Sequence, residues 1–344
     1  MTDLCYYVAV VGAGPAGMFA ARELAKSGVK VVIFNRDIKP GGLAEYGIYP
    51  DKVAMKEGLR TQFKQILDTP GITYFGNITI GTNADLTLDD LRSLGFQAIL
   101  VTVGSQGTKK LGLPGENLQG VYHAKDLVYH YNQLPPYSKK KFVFGRKLAV
   151  VGAGNVMMDI ARFAIQKLKL DEVVAVVRRG PAEVKFDRKE MEFIGRNLDL
   201  RALDDEIARV SPNMLAVEQD PAAAKELILE GLSKAMPTNS ATRFRFEFLA
   251  SPTRIFGEET VSGMEVEDNS LVVQNDEVKA RGTGNKRVLN VDSVVFAIGD
   301  TVDEAFGLPI SRSEFVKNPE PRFPIEGISF ETFDPESRQV IPDV

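Results

Sequence analysis

The fold is decided by one stretch near the start of the chain, YYVAVVGAGPAGMFAARELAKSGVKVVIF, residues 6 to 34. An apolar, β-rich run from Tyr6 to Val11 ends at GAGPAG (Gly12–Gly17), and a segment of helical composition then runs to Gly28. The next apolar run, Val29–Phe34, has the character of a buried strand. This order of strand, glycine-rich loop, helix and strand predicts a βαβ unit that binds a dinucleotide.

Each glycine of this loop has a distinct expected role. Gly12 allows the tight turn, Gly14 lets the backbone approach a pyrophosphate, and Gly17 lets helix and strand pack closely. Where an acidic residue usually takes the ribose hydroxyls, at the end of the second strand, this chain has Asn35. An amide can also hydrogen-bond a hydroxyl, but without a charge. We therefore expect somewhat weaker binding, and we expect that a glutamate at position 35 would retain or strengthen it.

The same order of elements returns in the middle of the chain. Lys147–Val151 is a strand, followed by GAGNVM (Gly152–Met157), a helical segment and the strand Glu172–Val177. The next residues are Arg178 and Arg179, whose guanidinium groups suit a ribose 2′-phosphate. The predicted nucleotide is NADPH rather than NADH, and the alternative is a solvated basic pair at the end of a strand.

The second loop departs from the usual pattern at its third position. Met157 stands where glycine or alanine is usual, so helix and strand must lie farther apart in this unit. Asn155 and Val156 open the helix and would offer backbone N–H groups to the pyrophosphate of the nucleotide.

Other elements follow from apolar patterning and turn residues. Two apolar runs, Phe96–Gly104 and Val291–Gly299, end on glycine and are predicted to be the two crossings between domains, with a hinge at Leu111–Gly120. The remaining predicted elements are helices over Asp51–Leu67 and Pro221–Lys234 and antiparallel strands over Phe244–Phe256, Val261–Val266 and Leu271–Val273.

Composition limits the class of function. The 344 residues suffice for two domains, and a net charge of −4 gives no excess of positive charge for nucleic acid or an anionic membrane. The one cysteine, Cys5, is expected to be a packed thiol; a single cysteine excludes an intramolecular disulfide, a Cys-x-x-Cys pair and a cysteine-ligated cluster carried by this chain. His123 and His130 lie seven residues apart in a polar segment, a spacing that does not match the patterns of metal ligands, so no metal site is predicted.

The sequence also allows predictions about the protein's location and about one cluster of lysines. The sequence has neither a signal-peptide pattern nor a run of roughly 18 apolar residues, which predicts a cytoplasmic protein. Lys139–Lys141 follows a Pro-Pro turn and is expected to be a solvated linker, the alternative being a contact with an acidic protein partner.

Taken together, these motifs resemble the adrenodoxin reductase-like family of FAD-dependent ferredoxin–NADP reductases. The likeness covers nearly the whole chain, and a more distant one links it to the flavin subunit of glutamate synthase. The segments that carry the resemblance are PGGLAEYGIYPDK (40–52), YFGNITIG (74–81), LPGENLQGVYHAKDLVYHYN (113–132), GAGNVMMDIAR (152–162), VVRRGP (176–181) and FDRKEME (186–192).

The resemblance implies an α/β fold with two Rossmann-like domains of the glutathione/adrenodoxin reductase type. The implied FAD-binding domain is discontinuous, residues 1–106 and 299–344, and the NADPH-binding domain is 107–298. The implied FAD contacts are Gly12, Gly14, Ala16, Gly17, Asn35, Gly42, Leu43 and Ile80. The implied NADPH contacts are Gly152, Ala153, Gly154, Asn155 and Val156 for the pyrophosphate, Arg178 and Arg179 for the 2′-phosphate, and Glu190 nearer the ribose and nicotinamide.

The implied activity is transfer of a hydride from NADPH to FAD and then of single electrons to a ferredoxin-like carrier. Because the cofactors carry this chemistry, Glu190 and Lys52 are expected only to tune the site. Two alternatives stay open. One is an electron-supplying flavin subunit of a larger, glutamate synthase-like complex, and the other is a redox-inactive nucleotide-binding protein.

The chain departs from the family's pattern at four places. The family usually has Glu at Asn35, a basic residue at Glu45, and Asp-His at Asp51 and Lys52. The fourth is the end of the chain, where Ser337–Val344 resembles the lead-in to a flavin-contacting segment. Because Asp300–Val344 contains few long apolar runs, we expect a connector there and a C-terminal part that is incomplete.

Overall fold

The computed structural model describes residues 6–344, and Cys5 lies outside these described residues. The chain divides into two compact units. The first unit runs to Lys109 and takes in Tyr131–Ser138 and Gly299–Val344, whereas the second consists of Lys110–His130 and Lys139–Ile298. The first unit is thus discontinuous, and it includes Tyr131–Ser138, which the sequence analysis assigned to the second domain.

The first unit contains a four-stranded parallel sheet of order β3-β2-β1-β4. Its elements, in chain order, are β1 (Tyr7–Val11), α1 (Pro15–Lys26), β2 (Lys30–Asn35), α2 (Leu43–Tyr46), α3 (Val53–Leu67), β3 (Ile72–Gly76), α4 (Leu88–Ser93), β4 (Ala98–Val101) and β5 (Gly107–Thr108). Val11 of β1 is level with Phe34 of β2 and with Val101 of β4. These three strands therefore end together, at the edge of the sheet from which the first glycine-rich loop (Gly12–Gly17) leaves.

The second unit holds a five-stranded parallel sheet of order β6-β13-β7-β8-β9 and a three-stranded antiparallel sheet of order β10-β11-β12. Its elements are β6 (Val121–His123), α5 (Ala124–Tyr131), β7 (Lys147–Val151), α6 (Asn155–Phe163), β8 (Glu172–Val176), α7 (Arg188–Ile194), α8 (Leu200–Leu215), α9 (Pro221–Leu229), β9 (Arg243–Glu247), β10 (Ala250–Phe256), β11 (Gly263–Gln274), β12 (Glu277–Leu289) and β13 (Ser293–Phe296). The two parallel sheets with their helices confirm the α/β class.

Three predicted strands in this unit were wrong in their bounds or partners. Phe244–Phe256 is two strands, β9 pairing parallel with β8 and β10 pairing antiparallel with β11. The chain turns between them at Leu249, whose φ is 48°. Val261–Val266 and Leu271–Val273 fall largely within one continuous strand, β11. Apolar patterning indicates which side chains are buried, but it does not indicate which strand is the partner.

The last segment returns to the first unit as four short strands after β14 (Asp300–Thr301), which pairs with β5. These strands are β15 (Ile310–Ser311), β16 (Glu314–Phe315), β17 (Phe333–Asp334) and β18 (Gln339–Val340). The expectation of a mere connector was wrong, because Phe306 and Leu308 are buried in a cluster with Val11 and Ile99. On the other face of the sheet, α1 and α3 bury Val10 and Ile33.

Within residues 6–344, none of the helices is long and apolar enough to cross a membrane.

Candidate nucleotide-binding sites

The first glycine-rich loop runs so close to β4 that two of its glycines leave no space for a side chain. Gly12 has a φ of +104°, and a Cβ there would lie 2.5 Å from the carbonyl oxygen of Thr102. A Cβ on Gly17 would lie 2.0 Å from the carbonyl oxygen of Gly12. The Thr102 hydroxyl lies 3.0 and 2.8 Å from the carbonyl oxygens of Val11 and Gly12. The loop is therefore fixed by backbone packing before any ligand binds.

Gly14 differs from its neighbours because it faces open space. A Cβ at Gly14 would have no heavy atom within 4 Å. Gly14 is also the N-cap of α1, and no side chain caps the helix. The first N–H groups of α1 are thus left for an anion.

A cavity of about 730 Å³ in the first unit borders this helix start. Most of the residues expected to contact FAD line it, namely Gly12, Gly14, Ala16, Asn35, Gly42, Leu43 and Ile80. Gly17 is the exception, because it lies buried under the loop. The cavity's size and its exposed helix N-terminus fit the adenosine and pyrophosphate of a dinucleotide.

The other residues that line the cavity come from segments without a binding motif. They include Arg36, Asp37, Thr82–Asp85, Ser105–Gln106 and Asp303. No spacing rule connects these segments, which lie far apart in sequence. The one available signal was Gly104, which also lines the cavity and ends the predicted apolar run Phe96–Gly104.

Asn35 is buried, and its amide is used inside the protein. Its Oδ1 accepts the N–H of Ala13 at 3.0 Å, and its Nδ2 donates to the carbonyl oxygens of Asp37 at 2.7 Å and Lys39 at 3.2 Å. These partners fix the amide's orientation. A glutamate at position 35 has no hydrogen to donate to those carbonyls, so we no longer expect it to strengthen binding.

Helix α2 carries Glu45, which stands where the resembled family has a basic residue. Its carboxylate accepts two hydrogen bonds from Arg60 of α3, at 2.6 and 2.7 Å. These hydrogen bonds hold the pKa of Glu45 below its ordinary value. Glu45 and Arg60, 15 residues later in the chain, therefore form an ion pair with no net charge.

Two lysines lie on or beside the start of α3. Lys52 is the N-cap residue of this helix and is half-buried. Lys56 is buried, donates to the side-chain oxygen of Asn132 at 2.5 Å, and has its pKa lowered by burial. Asn132 in turn donates to the carbonyl oxygen of Tyr46 at 2.9 Å. This chain of contacts attaches Tyr131–Ser138 to α2 and α3 within the first unit.

The second glycine-rich loop (Gly152–Met157) repeats the geometry of the first with one difference. Gly152 has a φ of +151°, and its Cβ would lie 2.5 Å from the carbonyl oxygen of Ala297. Gly154, like Gly14, has nothing within 4 Å of a Cβ. Met157 is fully buried, at 0% exposure, where Gly17 could not carry even a methyl group. Helix and strand in this unit therefore leave space for a large side chain.

Asn155 links this loop to the segment before α7. Its Nδ2 donates to a carboxylate oxygen of Asp187, and its Oδ1 accepts the Asp187 N–H, both at 2.7 Å. The N–H of Lys185 also donates to the carbonyl oxygen of Ala153 at 2.8 Å. The Asn155 side chain is thus occupied, while Val156 is exposed at the start of α6.

Arg178 and Arg179 follow β8 on a fixed backbone. The carbonyl oxygen of Arg178 accepts from Asn269 Nδ2 at 2.9 Å, and that of Arg179 accepts the Leu249 N–H at 3.1 Å. Across the described chain, neither guanidinium has a hydrogen-bond or ion-pair partner. Two partly or fully exposed, unpaired guanidiniums at this position are available to an anionic ligand.

Glu190 lies on α7 and is buried. It belongs to the second unit, as do the second loop and the two arginines, whereas Lys52 belongs to the first.

Known proteins resemble this chain over most of its length. It is 29% identical to mitochondrial NADPH:adrenodoxin oxidoreductase of Arabidopsis thaliana, over 90% of this chain and 71% of that protein. It is also 29% identical to NADPH-ferredoxin reductase FprA of Mycobacterium tuberculosis, over 88% of this chain and 72% of that one. The structure of M. tuberculosis FprA in complex with NADPH superimposes with a TM-score of 0.74 at 28% identity, covering 89% of this chain and 73% of that chain.

These relatives confirm the resemblance to adrenodoxin reductase-like enzymes and the fold expected from it. The family model described as pyridine nucleotide-disulphide oxidoreductase matches residues 6–201, a range that contains both glycine-rich loops and the two arginines. The chain itself belongs to the pyridine nucleotide-disulphide oxidoreductase family.

Proposed function

We propose that this protein is a flavin-dependent oxidoreductase that moves electrons from NADPH through FAD to a small electron-carrier protein. The observation that carries the proposal is the pair of glycine-rich loops. One borders a cavity of about 730 Å³, and the other is followed by two arginines whose guanidiniums are unpaired within residues 6–344. The relatives named NADPH-ferredoxin reductase and NADPH:adrenodoxin oxidoreductase support it.

FAD belongs in the first unit under this proposal. Gly12, Gly14 and Ala16 would receive its pyrophosphate at the start of α1, and Gly42, Leu43 and Ile80 would line the same cavity. Gly17 would act indirectly, by letting α1 approach β1. The exposed Leu43 supports such a contact, since 58% of its surface is accessible beside a cavity with space for a ligand.

NADPH belongs in the second unit. Backbone N–H groups from Gly152 to Val156 would receive its pyrophosphate, and Arg178 and Arg179 its 2′-phosphate. Glu190 on α7 would lie nearer the ribose and nicotinamide.

The bound flavin supplies the redox chemistry, since it accepts a hydride and releases electrons singly. The chain's own residues bind, orient and shield the cofactors. We assign no general acid or base; Glu190 and Lys52 are proposed to tune the local field, one in each unit. The single cysteine leaves no cysteine pair in this chain to relay electrons.

The carrier is proposed to be a ferredoxin or a similar one-electron protein. The cytoplasmic location remains a prediction from the sequence, and some relatives are named as mitochondrial.

An anaerobic titration tests the proposal. Protein reconstituted with FAD is mixed with NADPH or NADH, and the flavin absorbance is followed before and after addition of an oxidised ferredoxin. We expect NADPH to bleach the flavin and ferredoxin to restore its colour. Failure to retain any flavin would favour a redox-inactive nucleotide-binding protein, and bleaching without reoxidation by a free carrier would favour a subunit of a larger complex.

A further inference from the structure

The cavity of the first unit is lined by three acidic side chains, Asp37, Asp85 and Asp303. Two of these carboxylates accept hydrogen bonds from backbone N–H groups. Asp85 accepts the N–H of Thr79 at 2.8 Å, and Asp303 accepts the N–H of Ala305 at 3.0 Å. These two carboxylates fix the backbone of the loops that carry them.

Asp37 is different because no backbone N–H of the described residues donates to its carboxylate. Its side chain is 16% exposed, and the contact from Arg36 Nε to Oδ1 at 3.3 Å is its only side-chain partner within residues 6–344. The other carboxylate oxygen, Oδ2, accepts no hydrogen bond from the described residues, so it can accept one from a ligand in the cavity. Hydroxyl groups of such a ligand would supply the donors.

The backbone that carries Asp37 is held in place. Its carbonyl oxygen accepts from Asn35 Nδ2 at 2.7 Å and from the hydroxyl of Tyr74 at 3.2 Å. The Asn35 amide uses both of its ends in hydrogen bonds, since Nδ2 donates to Asp37 and Oδ1 accepts from Ala13 of the first glycine-rich loop. Asn35 therefore connects this loop to the segment that carries Asp37.

We propose that Asp37, rather than Asn35, accepts the adenosine ribose hydroxyls of the nucleotide in the first unit. The acidic function usual at the end of the second strand is thus displaced by two residues. The inference rests on the proposed binding of FAD to this unit. Asp37 neutralises the neighbouring Arg36, and its carboxylate would repel a phosphate, so the site favours ribose with free hydroxyls over ribose with a 2′-phosphate.

The test compares FAD with two analogues whose adenosine lacks the 2′- or the 3′-hydroxyl, titrated into apo-protein. A hydroxyl bonded to a carboxylate contributes about 10- to 100-fold in affinity. We expect the wild type to lose this factor with at least one analogue, and Asp37→Ala to bind FAD and both analogues with the same, weaker affinity. Asp68→Ala removes an exposed carboxylate of the same unit that does not line the cavity, so this control should discriminate as the wild type does.

Asp37→Asn guards against a folding failure of the alanine variant, and its discrimination should lie between those of Asp37→Ala and the wild type. Undiminished discrimination in a folded Asp37 variant, or none in the wild type, would overturn the inference while FAD binding and its reduction by NADPH remain. Tighter binding of ADP carrying a 2′-phosphate than of ADP would overturn it as well. A wild type that binds no FAD would overturn both the inference and the proposed function.

Discussion

The two glycine-rich loops follow one sequence rule, but the polar residues at or after the end of the second strand differ in kind. In the first unit, β2 ends on a buried amide, Asn35, at 7% exposure and with protein partners at both ends. In the second unit, Arg178 and Arg179 follow β8, and their charged groups have no partner in the described part of the chain. The first site is preorganised by its own contacts, whereas the second depends on charge that a ligand must neutralise.

This difference suggests different uses of one motif. A site whose loop is already fixed loses little entropy when it binds, which suits a cofactor that stays. A site that relies on exposed charge distinguishes ligands by whether they carry a phosphate, and it can release the bound ligand. Such a site suits a cofactor that exchanges.

The largest expected effect concerns the arginines of the second site. Arg178→Ala combined with Arg179→Ala should lower the preference for NADPH over NADH by about 10²- to 10⁴-fold, since hydrogen bonds to charged groups contribute roughly 1.5 to 3 kcal/mol each. The rates of flavin reduction by the two nucleotides measure it. Arg281→Ala, which removes an exposed guanidinium from β12, is the control. An unchanged preference in the double variant would contradict the assignment of the 2′-phosphate site.

The next effect separates two glycines of the first loop. Gly17→Ala places a methyl group 2.0 Å from a backbone oxygen and should destabilise the fold by about 1–3 kcal/mol, with loss of retained flavin. Gly14→Ala adds a methyl group in open space and should leave the melting temperature unchanged while weakening FAD binding. Thermal unfolding with and without FAD measures both. A Gly17→Ala variant that melts like the wild type would show that α1 can move away from β1.

A third effect concerns the ion pair between Glu45 of α2 and Arg60 of α3. Arg60→Ala leaves Glu45 buried without its donor and should cost about 1–2 kcal/mol, an amount reduced by the exposure of Arg60. Lys64→Ala breaks the exposed pair with Asp68 on the same helix and should change stability little. Denaturant unfolding of both variants measures the contrast.

The cost of Arg60→Ala should also depend on pH. Arg60 lowers the folded-state pKa of Glu45, so the pair's stabilisation is present above the ordinary carboxyl value of 4.5 and is lost as pH falls through the lowered pKa. The stability difference between wild type and variant should therefore shrink from pH 7 toward pH 3. A difference that is constant over this range would mean that Arg60 acts by packing alone.

The smallest expected effect is the difference in stability between variants of two asparagines, Asn35 and Asn155, which connect the glycine-rich loops to neighbouring segments. Asn35→Ala removes buried hydrogen bonds, whereas Asn155→Ala removes exposed ones to Asp187. Asn35→Ala should therefore lower the free energy of unfolding by about 1 kcal/mol more than Asn155→Ala does. Equal losses would mean that the asparagine hydrogen bonds stabilise the two loops equally and would contradict a more strongly preorganised first site.

Much of the fold followed from patterns of near neighbours in the sequence. The predicted strand Lys147–Val151 agrees with β7 in both bounds, and the predicted helix Asp51–Leu67 differs from α3 only at its start. The predictions failed where a distant partner decides the structure. The strand partner of Phe244–Phe256 and the burial of Phe306 depend on residues far away in the chain.

The features of the candidate sites also fall into two groups, those set by neighbouring residues in the sequence and those set by distant partners. By itself, the sequence determined the two glycine-rich loops, their helices and the basic pair after β8, because steric limits on glycine and the charge of arginine act locally. Only the tertiary structure decided that Asn35 bonds Ala13 and Asp37, that Arg60 pairs with Glu45, and that Asp37 lines the cavity with Arg36 as its side-chain partner. Those outcomes depend on which polar atoms the fold brings within 3 Å or so of each other, and a buried polar group takes whichever partner the packing supplies.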